Sequence, residues 1–160
     1  MKLRIYPCLW FDKEAEKAAK FYCSIFPNSK IKAISYYGNE GERRDTDGNE
    51  VPSMPKGTVL AVQFTLDGNE VMALNGGPLF TFSEAISLVV SVETQKELDH
   101  YWKKLTSGGG KAVQCGWLKD KYGLSWQVVP NAMDRMMADK NAARAARVMG
   151  VVMKSVKFNI

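Results

Sequence analysis

Shifting the chain by 81 positions lays its first half over its second. Ile5 falls on Ile86, Asp12 on Glu93, Glu16 on Glu97 and Phe21 on Trp102. Each half offers a strand, an acidic residue where a helix should begin, and a helix whose aromatic lies nine residues past that acid. The match is weak letter by letter, yet it holds across strand, cap, helix and hairpin. A strand-helix-hairpin unit leaves one sheet face uncovered, so two must combine to bury it. This restricts the 160 residues to one α+β domain, 1–160, built from two βαβββ units. The first unit takes 1–80, the second 85–130, and a helical segment follows at 131–160.

Local signals fill in the units. Leu3–Trp10 reads as a strand, and Asp12 stands where an N-cap belongs, ahead of EAEKAAKFYCSIF. There Ala15, Ala18, Ala19, Tyr22 and Phe26 recur at helical spacing. Ile31–Tyr37 suits a second strand. Gly38–Gly57 is polar and rich in Gly, Pro and Asp, the composition of a lid or a long loop. Val59–Leu66 and Val71–Leu74 read as a hairpin around Asp67-Gly68-Asn69. In the second half Ile86–Val92 is a β-branched run, Glu93-Thr94 caps the helix QKELDHYWKKL, and Gly108–Gly110 ends it. Lys111–Cys115, Trp117–Lys119 and Leu124–Val129 are short strands. Pro130-Asn131 opens a helix to about Asp139. A second helix, AARAARVMGVVMK, carries a stripe of Ala145, Val148, Met149 and Val152, suited to core or a subunit contact.

Composition bounds the function. Hydrophobic residues at 46% support a folded core that needs neither disulfide nor metal. Cys8, Cys23 and Cys115 are odd in number and lack CxxC spacing, which suits reduced thiols in the cytoplasm. The N-terminus reaches acidic residues too early for a signal peptide, and no apolar run approaches the ~20 residues of a membrane span. Net charge is +5, and six basic against two acidic residues place +4 of it in the last thirty. A basic helix face explains that better than nucleic acid, for which no helix-turn-helix, zinc-finger or RNP pattern is present.

Several chemistries fail residue by residue. The lone histidine, His100, lies on a helix, and its neighbour Asp99 faces elsewhere. No G-x-S-x-G elbow occurs. SGGGK at 107–111 is no phosphate loop, because Leu105 stands where the first glycine belongs and Ala112 replaces Ser/Thr. Cys115, flanked in sequence by Lys111 and Lys119, is the best nucleophile among the three thiols.

PCLWFDKEAEKAAKFYCSIFPNSKI, VMALNGGPLFTFSEAISLVVSVETQKELDHYWKKL, CGWLKDKYGLSWQVVP and RVMGVVMK together resemble the PhnB-like family of the glyoxalase, bleomycin-resistance and extradiol-dioxygenase (vicinal-oxygen-chelate) superfamily. Some members of that family bear the label 3-demethylubiquinone-9 3-methyltransferase. The resemblance implies eight strands curving into a cleft, helices outside, and a homodimer. Superfamily enzymes hold a divalent metal on four side chains, at positions that correspond here to Ile5, Met72, Ile86 and Gln127. Only Gln127 suits such a metal, so no metal and no cofactor are expected. The methyltransferase label calls for a Gly-rich loop between strand and helix with an acidic residue beyond it, and none is found.

What remains is a cleft. Leu60, Val62, Phe64 and Leu66 share the helix-facing side of their strand, which puts Gln63 on the other. Likewise Ser125, Gln127 and Val129 oppose Leu124, Trp126 and Val128. The expected cleft residues are Gln63 and Gln127 as amides, Asn75 before Gly76-Gly77, and Phe80 and Trp117 at the rim. Apolar walls with a few amides fit a neutral small ligand. The expected function is a metal-independent small-molecule binder. The alternatives are an enzyme of unknown reaction, including the methyltransferase label, and an interaction protein acting through the C-terminal helix.

Overall fold

The computed structural model describes residues 3–38, 43–44, 47–51 and 54–160. The chain is α+β and divides into two compact units, Met1–Thr81 and Phe82–Ile160.

In the first unit, β1 (Cys8–Phe11) leads to α1 (Ala15–Ile25) and β2 (Lys30–Tyr36). A short ladder of β3 (Arg43–Arg44) with β4 (Glu50–Val51) follows, then the hairpin β5 (Val59–Leu66) and β6 (Asn69–Asn75). The main sheet runs β1-β6-β5-β2, with β1 parallel to β6 and the other pairs antiparallel. Ala15, Ala18 and Ala19 are fully buried, so nothing bulky holds α1 off the sheet. Tyr22 then stacks over Phe64 with ring centroids 6.5 Å apart. The β5–β6 turn is the predicted Asp-Gly pair, with Asp67 at φ 45° and Gly68 at φ 79°. Both central residues at positive φ match the twist of the strands they join.

The second unit repeats the order. β7 (Leu88–Val92) precedes α2 (Gln95–Leu105), β8 (Lys111–Ala112), β9 (Trp117–Lys119) and β10 (Ser125–Pro130). The sheet runs β7-β10-β9-β8, again with a parallel first pair. Asp120 is buried in the β9–β10 turn and accepts from the backbone N–H of Tyr122 and Leu124 and from Trp126 Nε1 at 2.8 Å. Three donors hold this buried carboxylate in the turn, so it serves the fold. α3 (Met133–Met137) and α4 (Ala142–Lys154) complete the unit, α4 capped by Asn141.

The structure corrects several sequence expectations. The first strand starts at Cys8 instead of Leu3, because Pro7 has no N–H for the ladder and contributes only its carbonyl, to Met72. Asp12 is not the cap of α1: the helix starts three residues later from Glu14, which makes no side-chain cap. The Gly38–Gly57 segment is not loop throughout, since β3 pairs with β4; residues 39–42, 45–46 and 52–53 lie outside the described set. The strand at Lys111–Cys115 stops at Ala112. The apolar stripe of α4 is not core, because no residue of that helix is buried.

Candidate functional site

Within each unit the helix covers one sheet face and leaves the other free of it. On sheet β1-β6-β5-β2, cross-strand partners set Cys8, Met72, Gln63 and Ala33 in one row of the open face. Trp10, Leu74, Ala61 and Ser35 form the next. Val62 and Phe64, on the other side of β5, have no solvent exposure, so Gln63 lies on the face away from that packed core. Its side-chain amide makes no hydrogen bond to another described residue; in its row Met72 and Ala33 flank it. Beside it lies a shallow depression lined by Arg4, Tyr6, Lys32 and Glu70. Glu70 accepts from both Arg4 and Lys32 at 2.9 Å. The Lys32 hydrogen bond, helped by Arg4, holds its carboxyl below the usual carboxylate range.

On sheet β7-β10-β9-β8, Gln127 pairs with Val89 on one side and Trp117 on the other. Gln127 Nε2 donates to Ser87 Oγ at 2.9 Å, leaving the amide oxygen as the available acceptor. The two rows are counterparts. Cys8 pairs with Met72 and Val89 with Gln127; since Cys8 and Val89 are 81 apart, Met72 and Gln127 correspond. By the same register Gln63, partner of Met72, corresponds to Trp117, partner of Gln127. Each unit therefore carries one amide beside one large apolar side chain at the same two strand positions, in exchanged order.

The structure distributes the remaining candidates. Asn75 is buried at the end of β6 with its amide engaged: Oδ1 accepts from the Ala15 N–H at 2.8 Å and Nδ2 donates to the Val59 carbonyl at 2.9 Å. Phe80 is half exposed and meets Trp10 edge-on, with centroids 4.9 Å apart. Sequence reasoning missed Trp10. Its indole Nε1 donates to the Gly77 carbonyl at 2.9 Å, and a Cβ on Gly76 would come within 2.1 Å of its ring. The NGGP motif therefore serves three contacts: Asn75 on α1, Gly76 under Trp10, and Gly77 as its acceptor. The bare glycines were the only trace of this in the sequence. Gln63, Asn75 and Phe80 belong to the first unit, Trp117 and Gln127 to the second.

Cys115 sits at φ 61° before Gly116 at φ 79°. Their N–H groups donate to the carbonyls of Ser155 and Val156, at 2.7 and 3.0 Å. A Cβ at Gly116 would meet the Phe158 ring at 2.3 Å. The CGW motif thus anchors the segment after α4. His100 is exposed on α2, and its ring meets Tyr101 edge-on. Partial burial pushes the Cys23 thiol above its ordinary range, which disfavours it as a thiolate.

Ile5, Met72, Ile86 and Gln127, the positions that the sequence resemblance points to for a divalent ion, make a poor donor set for one. Ile5 and Ile86 are exposed hydrocarbons, Met72 offers a thioether, and Gln127 offers only its amide oxygen. A single amide oxygen, with no imidazole or carboxylate beside it in this set, is a weak set of donors for a hard or borderline divalent ion.

The family model described as 3-demethylubiquinone-9 3-methyltransferase matches residues 3–129. Among solved structures, a Bacillus cereus protein labelled 3-demethylubiquinone-9 3-methyltransferase, PhnB protein, is 35% identical with a TM-score of 0.66, over 80% of this chain and 99% of its own. Protein PA1353 from Pseudomonas aeruginosa is 18% identical with a TM-score of 0.61, over 81% and 98%. The fosfomycin resistance protein FosX from Listeria monocytogenes, complexed with Mn(II) and sulfate, is 13% identical with a TM-score of 0.53, over 86% and 96%. These last two show a shared fold alone. No curated protein matches the sequence significantly.

Proposed function

The chain belongs to the family described as 3-demethylubiquinone-9 3-methyltransferase, and we propose that within this family it is a small-molecule-binding protein that works without a metal. The observation that carries the reading is the paired row on the open sheet faces, Gln63 beside Met72 and Gln127 beside Trp117. An apolar surface supplies most of the affinity for an uncharged ligand, and an amide fixes its orientation. The Gln63 amide can donate and accept, whereas Gln127 presents its oxygen. Phe80 and Trp10 add aromatic surface at the end of β6. Asn75 contributes by holding α1 against the end of that strand. We take the protein to be a homodimer in the cytoplasm; no helix among the described residues is long and apolar enough to cross a membrane.

What supports metal independence is donor chemistry: Ile5, Met72, Ile86 and Gln127 stand where the superfamily's metal ligands would be.

Thermal denaturation against a panel of neutral aromatic and cyclic compounds tests the reading. A ligand at 100 times its Kd should stabilise the protein by about 2.7 kcal/mol. A chelator should leave that gain unchanged. Gln63→Leu or Gln127→Leu should weaken binding by about tenfold, the worth of one neutral hydrogen bond. No stabilisation by any such compound, or stoichiometric divalent metal in the purified protein, would overturn it.

The family description favours a second reading, an S-adenosylmethionine-dependent methyltransferase. A calorimetric titration decides it: saturable binding of S-adenosylmethionine supports that reading, and a flat isotherm removes it.

A further inference from the structure

Two sulfur atoms from separate elements of the second unit meet at the anchor of the C-terminal segment. Cys115 lies between β8 and β9, and Met153 lies in the last turn of α4. The Cys115 Sγ faces the Met153 Sδ at 4.0 Å. Met149, one helical turn earlier, shares that side of the helix. Met149 and Met153 are 41% and 59% exposed, and Cys115 is partly so, which leaves the sulfurs within reach of a solute.

We propose that Cys115 and Met153, with the Met149 thioether beside them, form a binding site for a soft monovalent cation of the Cu(I) and Ag(I) class. Thiolate and thioether donors select such ions, and these ions accept two or three ligands. A metal–thiolate bond is roughly 2.3 Å, so two sulfurs about 4 Å apart bracket an ion in a bent, two-coordinate arrangement without moving the backbone. The bite is already set. The Cys115 N–H holds the Ser155 carbonyl at 2.7 Å and the Gly116 N–H holds that of Val156 at 3.0 Å, two and three residues past Met153. The donors therefore need little ordering when the ion arrives. Harder divalent ions are not the match, since no group of three or more His, Cys, Asp or Glu side chains occurs among the described residues. On binding, the ion replaces the thiol proton, one proton leaves to solvent, and no electron is transferred.

The test uses the full chain with Cys8→Ser and Cys23→Ser, which removes the other thiols. Anaerobic Cu(I) is partitioned between the protein and a chromogenic Cu(I) chelator. One equivalent should bind, at least tenfold more weakly after Cys115→Ser or Met153→Leu. Met153→Leu conserves volume at an exposed position, so its loss of affinity would not reflect unfolding, and circular dichroism checks this. With methyl-labelled methionine, Ag(I) should shift the Met153 resonance before those of Met136 and Met137. Unchanged affinity in Met153→Leu would show a thiol acting alone and overturn the site. So would a silent Met153 methyl.

Discussion

The helices α1 and α2 occupy the same place in the two units, yet they begin by different means. α2 closes its own N-terminus. Thr94 Oγ1 accepts from the Glu97 N–H, and Glu97 Oε2 accepts from the N–H groups of Glu93 and Thr94 at 3.0 Å. α1 has no such box. Its Ala15 N–H goes to Asn75 Oδ1, sixty residues away. The same asparagine donates to Val59, and its carbonyl accepts from Tyr37 Oη at 2.6 Å. A local cap lets a helix nucleate from its own residues, which matters when an isolated helix of this length is marginal. A distant cap instead ties the helix to the strand that carries Met72. The open face of the first unit is thus positioned by one buried hub, and that of the second by a self-contained helix.

Asn75→Ala should therefore be the most damaging single change. It removes the cap of α1 and leaves the partly buried Val59 carbonyl without that donor. A lost cap costs about 0.5–2 kcal/mol and a stranded buried group about 1–3 kcal/mol. The terms overlap, so urea unfolding should show a loss of about 2–4 kcal/mol. Asn75→Asp keeps the acceptor for Ala15 but loses the donation to Val59 and buries a carboxyl against that carbonyl, so it should destabilise the fold as well. A loss no greater than that of a surface cap would break the comparison.

The difference between the helices also explains what the sequence could tell. The cap of α2 at Glu93-Thr94 was readable because it directly precedes the helix in sequence, although the Glu97 half of the box was not read. Strand alternation placed Gln63 and Gln127 on open faces, because a period of two depends only on neighbours. The cap of α1 was misread as Asp12, since a side chain arriving from β6 leaves no mark near residue 15. Trp10 was missed for the same reason: its partners, Gly76, Gly77 and Phe80, are all distant in sequence. The correspondence of Gln63 with Trp117 was hidden by the insert between β2 and β5. That insert makes the offset between the units 81 at the first strand but 55 at the last. Register between strands, which the chain fixes only on folding, recovered it.

Thr94→Ala should cost about 1 kcal/mol, as a typical surface cap does, with the loss confined to α2 in amide exchange. The box also carries a pH signature. Hydrogen bonds from the Thr94 and Glu93 backbone hold the Glu97 carboxyl below the usual carboxylate range. A carboxylate whose folded value is depressed stabilises the native state above its unfolded value and loses that contribution as pH falls through the folded one. Amide protection at the start of α2 should decline through the acidic range below the ordinary glutamate value. Glu97→Gln should flatten that decline. Protection at Ala15 should not follow it, because the Asn75 amide does not titrate. Parallel acid profiles at both helix starts would sink the distinction between a charged local cap and a neutral distant one.

Asp12→Ala should have the smallest effect, and it is the sharpest test of how α1 begins. If Asp12 capped the helix, its removal would cost about 1 kcal/mol like that of Thr94. In the structure Asp12 Oδ1 is buried without a hydrogen bond, and Lys13 Nζ stands 3.9 Å from the other oxygen. An exposed pair at that distance contributes little, and an unbonded buried oxygen favours no folded contact. The variant should stay within about 0.5 kcal/mol of the parent. Asp12→Asn, which removes the charge and keeps the shape, should be as stable as the parent or slightly more so. A loss near 1 kcal/mol in Asp12→Ala, with Asn75→Ala milder than expected, would mean that α1 starts as locally as α2. The two units would then differ in sequence but not in the way they fold.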